Sequence, residues 1–181
     1  MPVLLAACVV HELHRDSGSV GVTAIDKRPV AGAVRVGVYG LRGDVQASRK
    51  HHGGREKAVY AYAQDDAAYW EGELGRDLPP GWFGENLRID GLDVNRARVG
   101  ERWRIGGSVE LEVTSPRTPC ATFARWVGGR DERGWVRRFG DARRLGAYLR
   151  VVRAGEISAG DAIAVTPAPE GAPTILDVYD A

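Results

Sequence analysis

The stretch Glu101–Cys120, ERWRIGGSVELEVTSPRTPC, holds two runs of strict alternation. Trp103 and Ile105 alternate with Arg102 and Arg104, and Val109, Leu111 and Val113 alternate with Glu110 and Glu112. Period-two alternation places one set of side chains on each face of a strand. Gly106 and Gly107 separate the runs, where a tight hairpin calls for positive φ. Pro116 and Pro119 each remove a backbone donor, so the second strand's ladder ends there. The following ATFARWV reads as a short helix over 121–127. Cys120 is therefore expected where a strand ends and a helix begins.

A thiol in that position has two readings. The helix N-terminus and the nearby guanidinium of Arg117 both favour thiolate, the nucleophilic and metal-binding form. A lone cysteine is also commonly a small buried hydrophobe. The local sequence leaves both open.

Outward from this stretch, the chain reads as many short strands. The first runs from Val3 to about Leu13, with Cys8 as a structural residue inside it. Asp16-Ser17-Gly18-Ser19 is a turn cluster assigned to no site. Pro29 holds Arg28 extended, and Val34–Val38 is a further strand. A polar loop then runs to about Arg55. Its His51-His52-Gly53-Gly54 core could form an anion-binding nest, or simply a solvated basic turn with Lys50, Arg55 and Lys57. Adjacent histidines point opposite ways on an extended chain, and no Cys or His partner stands at zinc-ligand spacing. Ala58–Tyr62 is a strand, and Gln64-Asp65 are expected to cap a helix over 66–74. That helix buries Ala67, Trp70 and Leu74. Leu87–Ile89 is a strand, and Asn86 before it could be an ordinary turn residue. A second helix is expected over 131–139, with Arg133, Arg137 and Arg138 on a solvated face. Strands over Ala147–Arg153 and Thr174–Val178 complete the reading. Residues 159–165 echo residues 99–105 in giving Gly, an acid, then alternation. Short strands, Gly turns and few helices point to a mainly β fold with some α, closed as a β-barrel.

Bulk properties narrow the class. The chain has 181 residues and a net charge of +1 from 25 basic and 24 acidic residues, so the charge stripe of a nucleic-acid binder is missing. One domain of this length can bury a core. Cys8 and Cys120 cannot make a disulfide framework, and a reducing cytoplasm is the simplest compartment. Leu5-Ala6-Ala7-Cys8 looks like a lipoprotein cleavage site but has no basic start and too short a lead. No apolar run approaches the ~20 residues of a membrane span.

The 101–120 stretch resembles the signature of MOSC domains, named for the C-terminal domain of molybdenum cofactor sulfurases. KRPV at 27–30, HHGGREKAV at 51–59, FGENL at 83–87, GAYLRV at 146–151 and GEISAGD at 155–161 match in the same order. The blocks cover about residues 20–166, nearest to the stand-alone bacterial YiiM-like group. The resemblance implies one domain over 1–181, a MOSC-type β-barrel with a few short peripheral helices. It implies the molybdenum cofactor, Mo-molybdopterin, a pterin dithiolene with a terminal phosphate. Cys120 would be the Mo ligand, and Lys27, Arg28, His52, Lys57 and Arg117 the surrounding cations. Gly53 and Gly54 would form the anion loop, and Asn86 would line the pocket. The implied reaction is reduction of small N-hydroxylated compounds of the hydroxylaminopurine type, with His52 as proton donor. With no Gly-rich nucleotide fingerprint, electrons would come from a flavin or iron–sulfur reductase. Nucleic acid and membrane are not among the implied partners. A non-catalytic carrier of the cofactor or of a persulfide, and an anion-binding barrel without molybdenum, remain alternatives. YiiM-like proteins often carry a helical extension after the barrel, which would begin about where this chain reaches Ala181.

Overall fold

The computed structural model describes residues 1–47, 53–128 and 134–181. The hairpin is present as β7 (Arg102–Ile105) and β8 (Val109–Pro116), with Trp103 opposite Leu111 and Ile105 opposite Val109. Residues 106–108 form the loop. Gly106 alone of the glycine pair takes positive φ, at 59°. A β-carbon there would also press on the Asp161 carboxylate at 2.8 Å, so glycine is needed on both counts.

Around this hairpin lie β1 (Val3–Arg15), β2 (Val22–Pro29), β5 (Val59–Ala63), β6 (Leu87–Asp90), β9 (Ala147–Arg153) and β11 (Ile163–Thr166). They form one eight-stranded sheet in the order β11-β7-β8-β9-β5-β6-β1-β2. A second sheet holds β10 (Gly155–Ile157), β3 (Val34–Gly37) and β4 (Gly40–Leu41), in that order. The two echoing segments are neighbours: Val165 pairs with Trp103 and Ile163 with Ile105. The long β1 serves two partners. Its first half pairs with β6, its second half with β2, and register shifts on both sides mark where it bends.

The expected closed barrel is not observed: neither sheet closes on itself. The ends of the large sheet do touch. Leu4 N–H donates to Asp161, Gly160 N–H to Leu4, and Ile163 N–H to Pro2, around one bridge between Val3 and Ala162. The contact stays a single bridge: residues 2–4 meet 160–163, whereas β11 pairs with β7 through residues 163–166, so the two share only Ile163.

β5 explains where the core sits. Val59, Ala61 and Ala63 enter an aliphatic core with Leu87, Leu111 and Leu149, while Tyr60 and Tyr62 enter an aromatic one on the opposite face. A strand buried on both sides reads as a continuous apolar run, and Ala58–Ala63 does. The aromatic core is roofed by helices α1 (Gln64–Leu74), α2 (Ala121–Val127) and α3 (Trp135–Asp141). Trp70, Phe83, Phe123, Trp135 and Phe139 meet there at ring separations of 4.8–6.1 Å. Tyr60 and Tyr62 satisfy their hydroxyls on the carbonyls of Leu145 and Arg144.

Three local expectations change. Helix α1 begins at Gln64 itself, without a side-chain cap; the Gln64 amide oxygen instead accepts from Arg88 at 3.1 Å. The second helix after Cys120 is observed as Trp135–Asp141, with much of its expected first turn, including Arg133, outside the described residues. Thr174–Val178 is not a strand: Ile175–Asp180 is helix α4, started by a capping box between Thr174 and Asp177. Among the described residues no helix is long and apolar enough to cross a membrane.

Candidate active site

A cavity of about 410 Å3 opens between β2, the turn from β1 into β2, the Asp44–Ala47 loop, and the segment running from Arg117 into α2. That size suits a small ligand or cofactor. Of the sequence-predicted residues, Lys27, Lys57, Asn86, Arg117 and Cys120 line it. Arg28, Gly53 and Gly54 do not. His52 lies outside the described residues.

Cys120 sits as expected, extended at φ −138° and ψ 166°, and its carbonyl accepts the first α2 hydrogen bond from Ala124. The thiol is partly buried on the cavity wall. Cys8 is the opposite case: it is fully buried in β1, and burial pushes its thiol up to about 12. It is held in the inert form.

Arg117 is the most unusual group. It is only 5% exposed. Its guanidinium lies 4.1 Å from the Phe123 ring centroid and within 6 Å of the Tyr60 and Phe139 rings. No carboxylate pairs with it among the described residues, and its Nη1 has no hydrogen-bond partner. Arginine stays charged in such surroundings. A buried cation on a cavity wall with no carboxylate partner among the described residues favours an anion beside it.

Lys27 behaves differently. Its Nζ is 2.6 Å from Asp44 Oδ2, with both side chains at least nine-tenths buried. Asp44 also accepts from Val10 N–H and the Asn86 amide. Asn86 in turn accepts from Tyr60 N–H and donates to the Cys8 carbonyl. Lys27 and Asn86 thus line the cavity as expected, and their hydrogen bonds also tie β1, β2, β5 and the Asp44 loop together. Arg28, by contrast, stands away from the cavity. Its side chain is 60% exposed and leans toward Asp26 at 3.6 Å, because neighbours on a strand face opposite ways. Gly54 has the positive φ expected of a nest, 85°, but its N–H donates to the Gln46 side chain at 2.9 Å. Lys57 places its Nζ 5.4 Å from the centre of the Tyr148 ring, a cation–π distance.

Several lining residues escaped the sequence reading. Asp16 accepts from Arg125 Nε and Nη2 at 2.6 and 2.7 Å, from Thr122 Oγ1 at 2.9 Å and from the Gly18 N–H. The Arg125 hydrogen bonds hold its carboxyl below the usual range against some desolvation. This clamp fixes the β1–β2 turn onto α2, one turn past Cys120. Gly18, read as a plain turn residue, also lines the cavity; a β-carbon there would meet the Asp16 and Arg125 side chains within 3 Å. Glu85 of FGENL is fully buried and takes Arg88 together with the N–H groups of Gly81 and Phe83, which shapes the loop leading to Asn86. Among the described residues four cations and two carboxylates line the cavity, and both carboxylates are engaged, by Lys27 and by Arg125. The wall is net positive.

The comparisons agree with this architecture. The MOSC domain profile matches residues 48–164. YflK of Bacillus subtilis is 36% identical over 138 residues, covering 76% of this chain and 61% of YflK. A protein of Gibberella moniliformis named a reductase is 32% identical over 164 residues, covering 86% of this chain and 28% of its own length. The chain thus spans less than two thirds of either relative. The crystal structure of YiiM from Geobacillus stearothermophilus superposes with a TM-score of 0.77 at 26% identity, covering 99% of this chain and 82% of YiiM. The chain belongs to the MOSC domain family, and within it is similar to the YiiM proteins.

Proposed function

We propose that the cavity binds the molybdenum cofactor and that the protein reduces N-hydroxylated compounds there. One observation carries the reading: a partly open thiol, Cys120, and a buried guanidinium with no carboxylate partner among the described residues, Arg117, share one cavity wall. The family is associated with this cofactor, and the donor set fits it. A thiolate is the soft ligand that molybdenum accepts, and Arg117 with Lys57 offers charge to a phosphate. Arg117 lines the cavity, so a terminal phosphate held there would lie beside a charge that no described carboxylate neutralises. Lys27 enters this reading as a scaffold, not an anchor.

The bound cofactor would supply two-electron reduction. Converting an N–OH group to N–H releases water and consumes two electrons and two protons. The chain's own part is to hold the anionic end at Arg117, keep Cys120 at the head of α2 through the Asp16–Arg125 clamp, and exclude bulk water with the aromatic wall. His52 is the proposed proton donor, and a flavin or iron–sulfur reductase the proposed electron source.

The test is metal content and turnover of the whole chain made in a cofactor-competent host. Stoichiometric molybdenum with turnover of an N-hydroxylated purine supports the reading. Molybdenum without turnover would assign a carrier, and protein without molybdenum would leave an anion-binding fold only.

A further inference from the structure

On the face of the β1–β2 ribbon turned away from the cavity stands a second group of ligating side chains. Glu12 and His14 are two residues apart on β1, hence on one face. Asp26 lies directly across from Glu12 on β2. One ligand atom from each falls within 4.8 Å of the other two. Ile25 and Lys27, on either side of Asp26, line the cavity; Asp26 does not.

The spacing is close to that of metal ligands. His14 Nε2 is hydrogen-bonded to Asp26 Oδ2 at 3.0 Å. Two ligands held about 2.1 Å from one tetrahedral ion are about 3.4 Å apart, so a shift of a few tenths of an ångström seats this pair on one ion. A second observation points the same way. The Asp26 side chain is nine-tenths buried, and its Oδ1 is ion-paired with Arg28 but accepts no hydrogen bond from the described residues. Arg28 Nε stands 3.6 Å from that oxygen, beyond hydrogen-bond reach. The His14 ring is also braced: it lies against Trp126 at 5.4 Å, and Trp126 is pinned by its own bond to the Trp82 carbonyl.

We propose that Glu12, His14 and Asp26 bind one divalent cation of the zinc class. An imidazole beside two carboxylates suits Zn2+ and its transition-metal neighbours, whereas Mg2+ and Ca2+ call for oxygen alone. Exposed Glu12 leaves the remaining positions to water. Arg28, long and mostly exposed, has room to swing clear. The ion would pin β1 to β2 just before the turn that carries Asp16 over the cavity, a site separate from the one proposed for the cofactor.

The test is titration of the metal-stripped full chain with Co2+, read by visible absorption, then competition with Zn2+ and with Mg2+. One Co2+ per chain is expected, displaced by Zn2+ and not by excess Mg2+. Glu12→Gln and His14→Gln alter partly or fully exposed side chains, so folding survives, and each should weaken Co2+ at least about tenfold. Cys120→Ser and the double change His51→Ala, His52→Ala should leave it unchanged. No Co2+ binding up to millimolar metal, binding that survives both Glu12→Gln and His14→Gln, or binding abolished by Cys120→Ser would each overturn the proposal.

Discussion

Replacing Arg117 with methionine should separate what this residue does for the fold from what it does for a ligand. Methionine keeps the apolar stem and fills the space between Phe123, Tyr60 and Phe139, but removes the charge. In the ligand-free protein the unfilled Nη1 costs about 1–3 kcal/mol. Loss of the cation–π contacts removes about 0.5–2 kcal/mol, and sulfur–aromatic contacts return about 0.3–1.5 kcal/mol. At mid-range the three sum to about 1.5 kcal/mol in favour of methionine, with extremes from about 1 kcal/mol against it to about 4 kcal/mol for it. For a domain of this size each kcal/mol moves Tm by about 2–4 °C, so Arg117→Met should melt at the wild-type temperature or several degrees above it. Anion binding should move the other way. A hydrogen bond to a charged group contributes about 1.5–3 kcal/mol, so inorganic phosphate should bind at least about tenfold more weakly in calorimetric titration. A variant that melts well below wild type while binding phosphate normally would show that Arg117 is a structural cation serving the aromatic core, and the anion-site reasoning would fail.

Other changes have equally definite outcomes. Lys27→Ala strands the buried Asp44 carboxylate and should destabilise the fold by about 3–5 kcal/mol; adding Asp44→Asn should recover part of the loss, and a Lys27→Ala protein with wild-type Tm would contradict the scaffold role. Asp16 has a depressed pKa through its Arg125 hydrogen bonds, so its stabilising effect is present above the ordinary aspartate range and lost as pH falls through the lower folded value. Asp16→Asn should flatten that part of the acid limb of a Tm–pH profile. Iodoacetamide should label one thiol in the native chain and both in denaturant, with mass spectrometry placing the native label on Cys120, because Cys8 is buried and its thiol raised to about 12.

How far the sequence carried depends on the range of the interactions involved. The hairpin, Cys120 at the head of α2, and β9 were legible because period-two alternation and proline stops act within a few residues. The α4 capping box was equally legible in Thr174 and Asp177, yet its β-branched residues read as strand. Strict alternation could also have shown that Lys27 and Arg28 cannot both face one cavity. Asp16 and Asp44 were not legible. Asp16 meets Arg125 across 109 positions and Asp44 meets Asn86 across 42, and neither pair leaves a local signature. Barrel closure failed for a related reason, since the overlap of β11 with β1 depends on where two distant ladders stop.

The central claim is that Cys120 ligates molybdenum in this cavity, and X-ray absorption at the molybdenum edge tests it most directly. Wild type and Cys120→Ser, both made in a cofactor-competent host and matched for molybdenum content, should differ by one sulfur in the metal's coordination shell. Turnover should disappear with that sulfur, because an alkoxide is a hard ligand and does not reproduce thiolate donation. Cys8→Ser should leave the spectrum unchanged. A Cys120→Ser protein with the wild-type sulfur count and wild-type turnover would contradict the account.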